Sequence, residues 1–354
     1  MAVSIVTGTA HADSDPWYDH IDLTGDLRVR NESFNIEGTN DRLRHRIRAR
    51  LQITANVHDD VVASIGLASG GDDPVSTNQS LDGGFSTKDI RLDLAFFTWK
   101  PSSARGVSVT AGKMKLPFYR PGKTQLIWDS DLRPEGVTVG LKTKPSDVTL
   151  SLVMGGYWVD ESSSFRDAAL IAAQADVKFG ARDSRSFVRA GGGYFDYARL
   201  ENHPTVFDAS DSFGNSTNVD MTYMYDYNLL EAFVELGTEM GSTPVAVFGD
   251  YVTNSDPDSN NVGWLIGARI GKTKRTGSWE VRYNYRKSEM DALLGVFTDS
   301  DFIGGGTNGQ GHKFGMDVQL AKRIKAGGTA FINDSGLTTK TDYNRYQLDV
   351  VIKF

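Results

Sequence analysis

From residue 21 onward, apolar side chains recur at every second position in blocks of about ten residues, with polar or charged side chains between them. Successive side chains of a β-strand point to opposite faces, so each block predicts a strand with one apolar and one polar face. In the first block Ile21, Leu23, Leu27 and Val29 share one face, and Asp22, Thr24, Asp26, Arg28 and Arg30 the other. The second is sharper: in RLRHRIRAR (42–50), Arg42, Arg44, Arg46, Arg48 and Arg50 alternate with a mostly apolar set that continues through Leu51 and Ile53. A helix would scatter these arginines around its axis and leave no apolar stripe, so the strand reading wins. Continuing through 61–69, 90–99, 107–113, 136–142, 148–158, 169–179, 186–197, 229–239, 244–253, 262–271, 278–287, 312–320, 326–332 and 343–354 gives about sixteen strands.

Strands of this length cross a bilayer core at about 45° tilt. The connections alternate between short (NVHDD, KPSSAR, TKPSD, GARDSR, MGST, KTKRTG, AKRIK) and longer (31–40, 70–88, 114–135, 159–167, 198–227, 254–261, 288–310, 333–342). Short periplasmic turns and long extracellular loops mark a transmembrane antiparallel β-barrel. A soluble two-sheet sandwich also has many alternating strands. It fits less well, because sandwich strands are shorter and because Trp99, Tyr157, Trp158, Phe195, Tyr197, Tyr251, Tyr283 and Tyr285 sit at strand ends, as interfacial aromatic girdles would. The alternation in YNRYQLDVVIKF runs to Phe354, like the terminal signal of outer-membrane barrels.

The charge of the second strand sets its direction. An arginine facing lipid costs about 2 to 4 kcal/mol at the bilayer midplane, so Arg28, Arg30, Arg42, Arg44, Arg46, Arg48 and Arg50 are expected to line the lumen. Unpaired charge cannot be kept dry, so that lumen is expected to hold water. Asp22 and Asp26 supply counter-charge at the lumen parity of strand one.

Composition narrows the class without changing it. Mean hydropathy is -0.34 and no run approaches a membrane-spanning helix, while 37 glycines, 13 tyrosines and 18 phenylalanines suit an all-β chain. A net charge of -7 argues against nucleic-acid binding, and the absence of cysteine excludes disulfides and thiolate metal sites. Residues 1–12, with Ala10, His11 and Ala12 as a small-x-small site, are expected to be a residual signal peptide before a single barrel domain at 13–354.

Other chemistry is thin. The six histidines form no motif, and neither GxSxG nor HExxH occurs, so no enzyme activity, metal or cofactor is expected. Asp256 to Asn260 resembles the start of a calcium loop, but Asn261 replaces the glycine and no glutamate follows at the twelfth position. The run GGGTNGQG (304–311) reads as a flexible loop, and Gly191 to Gly193 as a bulge or close strand contact.

GDLRVRNESF (25–34), the arginine strand, LASGGDDPVSTNQSL (67–81), IRLDLAFFTWKP (90–101), AGKMKLPF (111–118) and LIWDSDLRPEGV (126–137) together resemble the Putative porin family of Gram-negative bacteria. The resemblance covers about the first 140 residues and implies an outer-membrane channel passing ions and small hydrophilic solutes by passive diffusion. Similarity to general porins further implies a homotrimer whose third loop folds into the lumen. Asp129, Asp131 and Glu135 would then face the arginine wall, with Tyr119, Trp128 and Arg133 on the same loop. A substrate-specific channel for anionic or aromatic solutes, touching Tyr119 and Trp128, is the alternative. A closed structural or adhesive barrel is a further one.

Overall fold

The computed structural model describes residues 20–180 and 185–354. The expected signal peptide at 1–12 and part of the GARDSR turn lie outside the described residues. Sixteen long strands follow one another as antiparallel neighbours, and the last pairs with the first to close a barrel. In chain order they are β1 (Ile21–Ile36), β2 (Arg42–His58), β3 (Val61–Ser69), β4 (Ile90–Trp99), β5 (Val107–Lys113), β6 (Glu135–Thr143), β7 (Val148–Asp160), β8 (Ala168–Phe179), β9 (Phe187–Ala198), β10 (Tyr227–Met240), β11 (Thr243–Asn254), β12 (Val262–Gly271), β13 (Trp279–Ser288), β14 (Gly309–Ala321), β15 (Ile324–Ser335) and β16 (Thr341–Lys353). A further two-residue strand, Gln79–Ser80, pairs with Arg46 and Ile47 above the point where β3 ends.

Alternation explains which face turns inward. Leu23, Val29, Leu43, Ile65, Ile171, Ile266 and Leu348 are exposed on the outer surface, and Arg28, Arg30, Glu32, Asp250, Asn284, Arg286 and Arg345 are buried on the inner one. That is the distribution lipid outside and a polar interior demand.

Two expectations need correction. The connections predicted at 31–40 and 333–342 are only 37–41 and 336–340, because β1 and β15 continue further than apolar alternation suggests. In β1 the outward positions become Asn31, Ser33 and Asn35, while Glu32 and Phe34 remain buried inside. The second correction concerns the aromatics. Trp99, Trp158 and Tyr251 are exposed outside, but Tyr157, Phe195 and Tyr197 point inward and are 3%, 0% and 1% exposed.

Those inward rings explain one of the glycines. A Cβ on Gly193 would collide with the Phe195 ring, and β9 pairs with both neighbours without a register shift. The glycine run is therefore a close contact and not a bulge. At the seam, Gly25 and Phe354 exchange two backbone hydrogen bonds of 3.0 Å, and the Phe354 ring covers Gly25.

Candidate channel-lining site

The register of three strands builds the charged wall. Across β16, β1 and β2 the inward rows read Arg345, Phe34, Arg42; Gln347, Glu32, Arg44; Asp349, Arg30, Arg46; Val351, Arg28, Arg48; and Lys353, Asp26, Arg50. Most of these guanidinium groups thus meet a carboxylate in their own row or the next one, at the reach of cross-strand pairs. Asp26 accepts from Arg48 Nη2 at 2.7 Å and from Arg50 Nε at 2.9 Å. Arg30 clasps Asp349 with two bonds of 2.7 and 2.8 Å.

Glu32 is the hub. Fully buried, it accepts from Arg345 at 2.6 Å, Arg44 at 2.7 Å, Gln347 at 3.1 Å and Arg30 at 3.4 Å. The Phe34 ring beside it carries Arg44 and Arg345 at 4.9 and 4.8 Å from its centroid. Arg42 is the outermost member, 5.9 Å from the same ring. Asp22, the other expected counter-charge, is exposed near the start of β1.

The connection between β5 and β6 (residues 114–134, here L3) carries the remaining expected residues. Trp128 is 1% exposed: it stacks on Phe118 at 5.0 Å, meets Phe195 edge-on at 4.5 Å and donates to the Tyr197 hydroxyl at 2.8 Å. It cannot present a surface to a solute. Tyr119 is tied in the same way, its hydroxyl donating to Glu235 and its ring lying 3.3 Å from the Arg189 guanidinium. Gln174 completes the anchor by accepting from the Tyr119 N–H at 2.7 Å and donating to its carbonyl at 3.0 Å. All of these wall residues lie on β8, β9 and β10, across from the arginines in strand order.

Of the three loop carboxylates expected to face the ladder, one meets it. Asp131 accepts from Arg50 at 3.4 Å and from the Thr77 hydroxyl at 2.9 Å. Burial pushes its carboxyl up, but Arg48, Arg50 and Arg133 outweigh that and hold it below the usual carboxylate range. Asp129 turns away, accepting from the Ser300 N–H at 3.0 Å. Burial, with Asp299 and Asp131 nearby, pushes its carboxyl well above the ordinary value. Glu135 shares the outward parity of Val137 and Val139 and pairs with Lys113 at 2.6 Å, since it is already the first residue of β6. Arg133 donates to Asp93 at 3.1 Å.

Sequence reasoning missed two other connections. Residues 289–308 (L7) send Asp299 and Asp301 against the inner wall. Asp301 meets Arg345 at 2.7 Å and Arg30 at 3.1 Å, and Asp299 meets Lys313 at 3.0 Å. Residues 70–89 (L2) place Ser76 against Arg46 at 3.1 Å and Asn78 against Arg28. The three loops join at one point, where the Ser300 hydroxyl donates to the Val75 carbonyl at 3.0 Å and the Asp129 N–H donates to the Phe297 carbonyl at 2.8 Å. The advance signal was the carboxylate pair Asp299 and Asp301 beside Phe302, in a loop that also carries the apolar Leu293, Leu294, Val296 and Phe297.

The Asp301 anchor predicts a pH response. Burial opposes its ionisation, yet Arg345, Arg30 and Lys313 hold the carboxyl well below its ordinary 3.8. A depressed folded value means the stabilisation is fully present above 3.8 and is lost as pH falls through the lower folded value. Docking of L7 should hold from pH 7 down to about 4 and fail only below that. Single-channel conductance recorded at stepwise lower pH checks this, and a loop-release transition between pH 7 and 5 would refute it.

The family described as Putative porin matches residues 35–243 and 221–354, which together run through both the arginine wall and the closing strand. The chain belongs to the Putative porin family. This porin is an outer-membrane channel protein with a sixteen-strand barrel. Its fold is similar to that of OprB from Pseudomonas putida, at 10% identity and a TM-score of 0.61, covering 95% of this chain and 94% of that one. The outer membrane channel DcaP of Acinetobacter baumannii is similar at 15% identity and a TM-score of 0.57, covering 94% and 97%. OmpT of Vibrio cholerae in its trimer form gives 13% identity and a TM-score of 0.53, covering 94% and 99%. At such identities the likeness concerns the porin's fold alone. No curated protein matched it.

Proposed function

We propose that this porin passes ions and small hydrophilic solutes passively, with L3 and L7 narrowing the lumen and the β1–β2–β16 wall favouring anions. The observation that carries the reading is a cavity of about 370 Å³ enclosed by that wall, the neighbouring strands β13 to β15 and the loops L2, L3 and L7. Ten lysines and arginines line it against seven aspartates, an excess of 10 − 7 = 3 positive charges. Charges beyond a Debye length, about 8 Å at physiological salt, are screened, so the lining governs a passing ion more than the net -7 of the chain.

The double variant Arg46→Ala, Arg48→Ala should lower the chloride-to-potassium permeability ratio about twofold or more, read from reversal potentials in a salt gradient across planar bilayers. An unchanged ratio would remove the ladder from the selectivity mechanism. The burial of Trp128 speaks against the reading in which L3 aromatics select aromatic solutes.

A homotrimer embedded through the outer apolar band is the assembly we favour, supported by the trimer form of the similar Vibrio cholerae barrel. Chemical cross-linking in mild detergent should give a species of three 38.8 kDa chains.

A further inference from the structure

Below L3, toward the end of the barrel that carries the short turns, lies a second cavity of about 570 Å³ between the loop, the start of β1, the middle of β2, the inner faces of β3 and β4 and the end of β16. Six cations line it, and three carboxylates: Asp26, Asp93 and Asp131. Each of those carboxylates is already held by an arginine, Asp26 by Arg48 and Arg50, Asp131 by Arg50 and Asp93 by Arg133. That leaves Lys115, Arg120 and Lys353, which form no ion pair within 4 Å among the described residues. Lys115 donates at 2.8 Å to the neutral Gln52 carbonyl, and Arg120 at 3.4 Å to the Trp128 carbonyl. An ammonium has three donors and a guanidinium five, so most of their capacity is open.

We propose that Lys115 and Arg120, with Arg50 across the cavity, form an oxyanion subsite that receives the carboxylate or phosphate group of a solute on the short-turn side of L3. The subsite rests on the anion-preferring reading and deepens it by naming where the anion pauses and which groups take it up. Burial, reinforced by Arg133 and Arg50, pushes the Lys115 ammonium below its ordinary value, a sign that cations crowd here without enough counter-charge. An oxyanion relieves that crowding and gains charge-assisted hydrogen bonds. Conduction needs binding strong enough to attract and weak enough to release, and two sites in series let one anion displace the next. In outer-membrane barrels the short turns are periplasmic, so the subsite faces the cell.

The test is block of chloride current by inorganic phosphate and by acetate, added to either side of a planar bilayer holding the full-length porin. Wild type should be blocked at lower phosphate concentration from the short-turn side. Lys115→Gln with Arg120→Gln should raise the half-blocking concentration about tenfold, Lys115→Gln alone should raise it less, and Lys115→Arg should leave it near wild type. Block by both probes assigns the site to oxyanions in general, and block by phosphate alone assigns it to phosphate groups. Identical half-block in wild type and both Gln variants, or no block of wild type, overturns the subsite. Reversal potentials on the same channels separate the two readings. Anion preference without variant-sensitive block sinks only the subsite, and variant-sensitive block without anion preference sinks only the selectivity reading.

Discussion

Glu32→Gln is expected to destabilise the barrel by about 3 to 5 kcal/mol, the usual effect of removing one partner from a buried ion pair. Glutamine keeps the shape and loses the charge, so packing changes little. What is lost is the negative charge shared by Arg345, Arg44 and Arg30 and one of its two acceptor oxygens, replaced by an NH2 facing guanidinium donors, on a side chain with no exposure to water. Arg345 is itself only 2% exposed and would keep Asp301 as its remaining carboxylate. Urea or thermal unfolding in detergent, followed by the gel mobility shift between folded and unfolded barrel, measures the effect. Adding Arg345→Met should recover part of the loss, because it removes a cation that no longer has its nearest partner. A Glu32→Gln barrel as stable as wild type would show that water, not Glu32, neutralises this wall.

Trp128→Ala should loosen L3 and raise single-channel conductance. Truncating a buried tryptophan costs about 3 to 5 kcal/mol, and here it strips Phe118 and Phe195 of their ring partner and leaves the Tyr197 hydroxyl without its donor. Strand pairing does not depend on these rings, so the loss falls on the loop, whose local stability is lower than that of the sheet. Trp128→Phe should keep most of the ring packing and lose the bond to the Tyr197 hydroxyl, a loss of about 1 kcal/mol. Its conductance should stay near wild type. Equal conductance in the wild type and the alanine variant would mean that Trp128 does not hold L3 where ions pass.

The barrel was legible because lipid imposes a period of two on every strand. Leu43, Ile53 and Leu348 lie outside and Arg44 to Arg50 inside, as alternation requires. Legibility ended where lipid no longer dictates the outer face, which is why β1 ran on past Arg30 through Asn31, Ser33 and Asn35. It also ended at the loops. Asp129, Asp131 and Glu135 look alike as three carboxylates in one segment, yet one binds L7, one binds Arg50 and one sits on the outer parity of β6. Their roles follow from three-dimensional neighbours such as Ser300 and Thr77, far away in the chain. The inward aromatics Tyr157, Phe195 and Tyr197 depart from expectation for a related reason. Position at a strand end suggests an interface, whereas parity and the rings of L3 decide that they pack inside.

The seam between β1 and β16 has a consequence for assembly. Leu27 lies opposite Ile352, 352 − 27 = 325 residues along the chain, so this pairing carries the largest loop-closure cost in the molecule. Arg30 reaches Asp349, and Glu32 reaches Arg345, only once that seam is zipped. The β1–β2 pairs of Asp26 and Glu32 form without the seam, but the rest of the electrostatic lattice is a property of the finished ring: with the seam open Arg30 and Arg345 lack these partners, and closure is the step that makes the interior chemically complete.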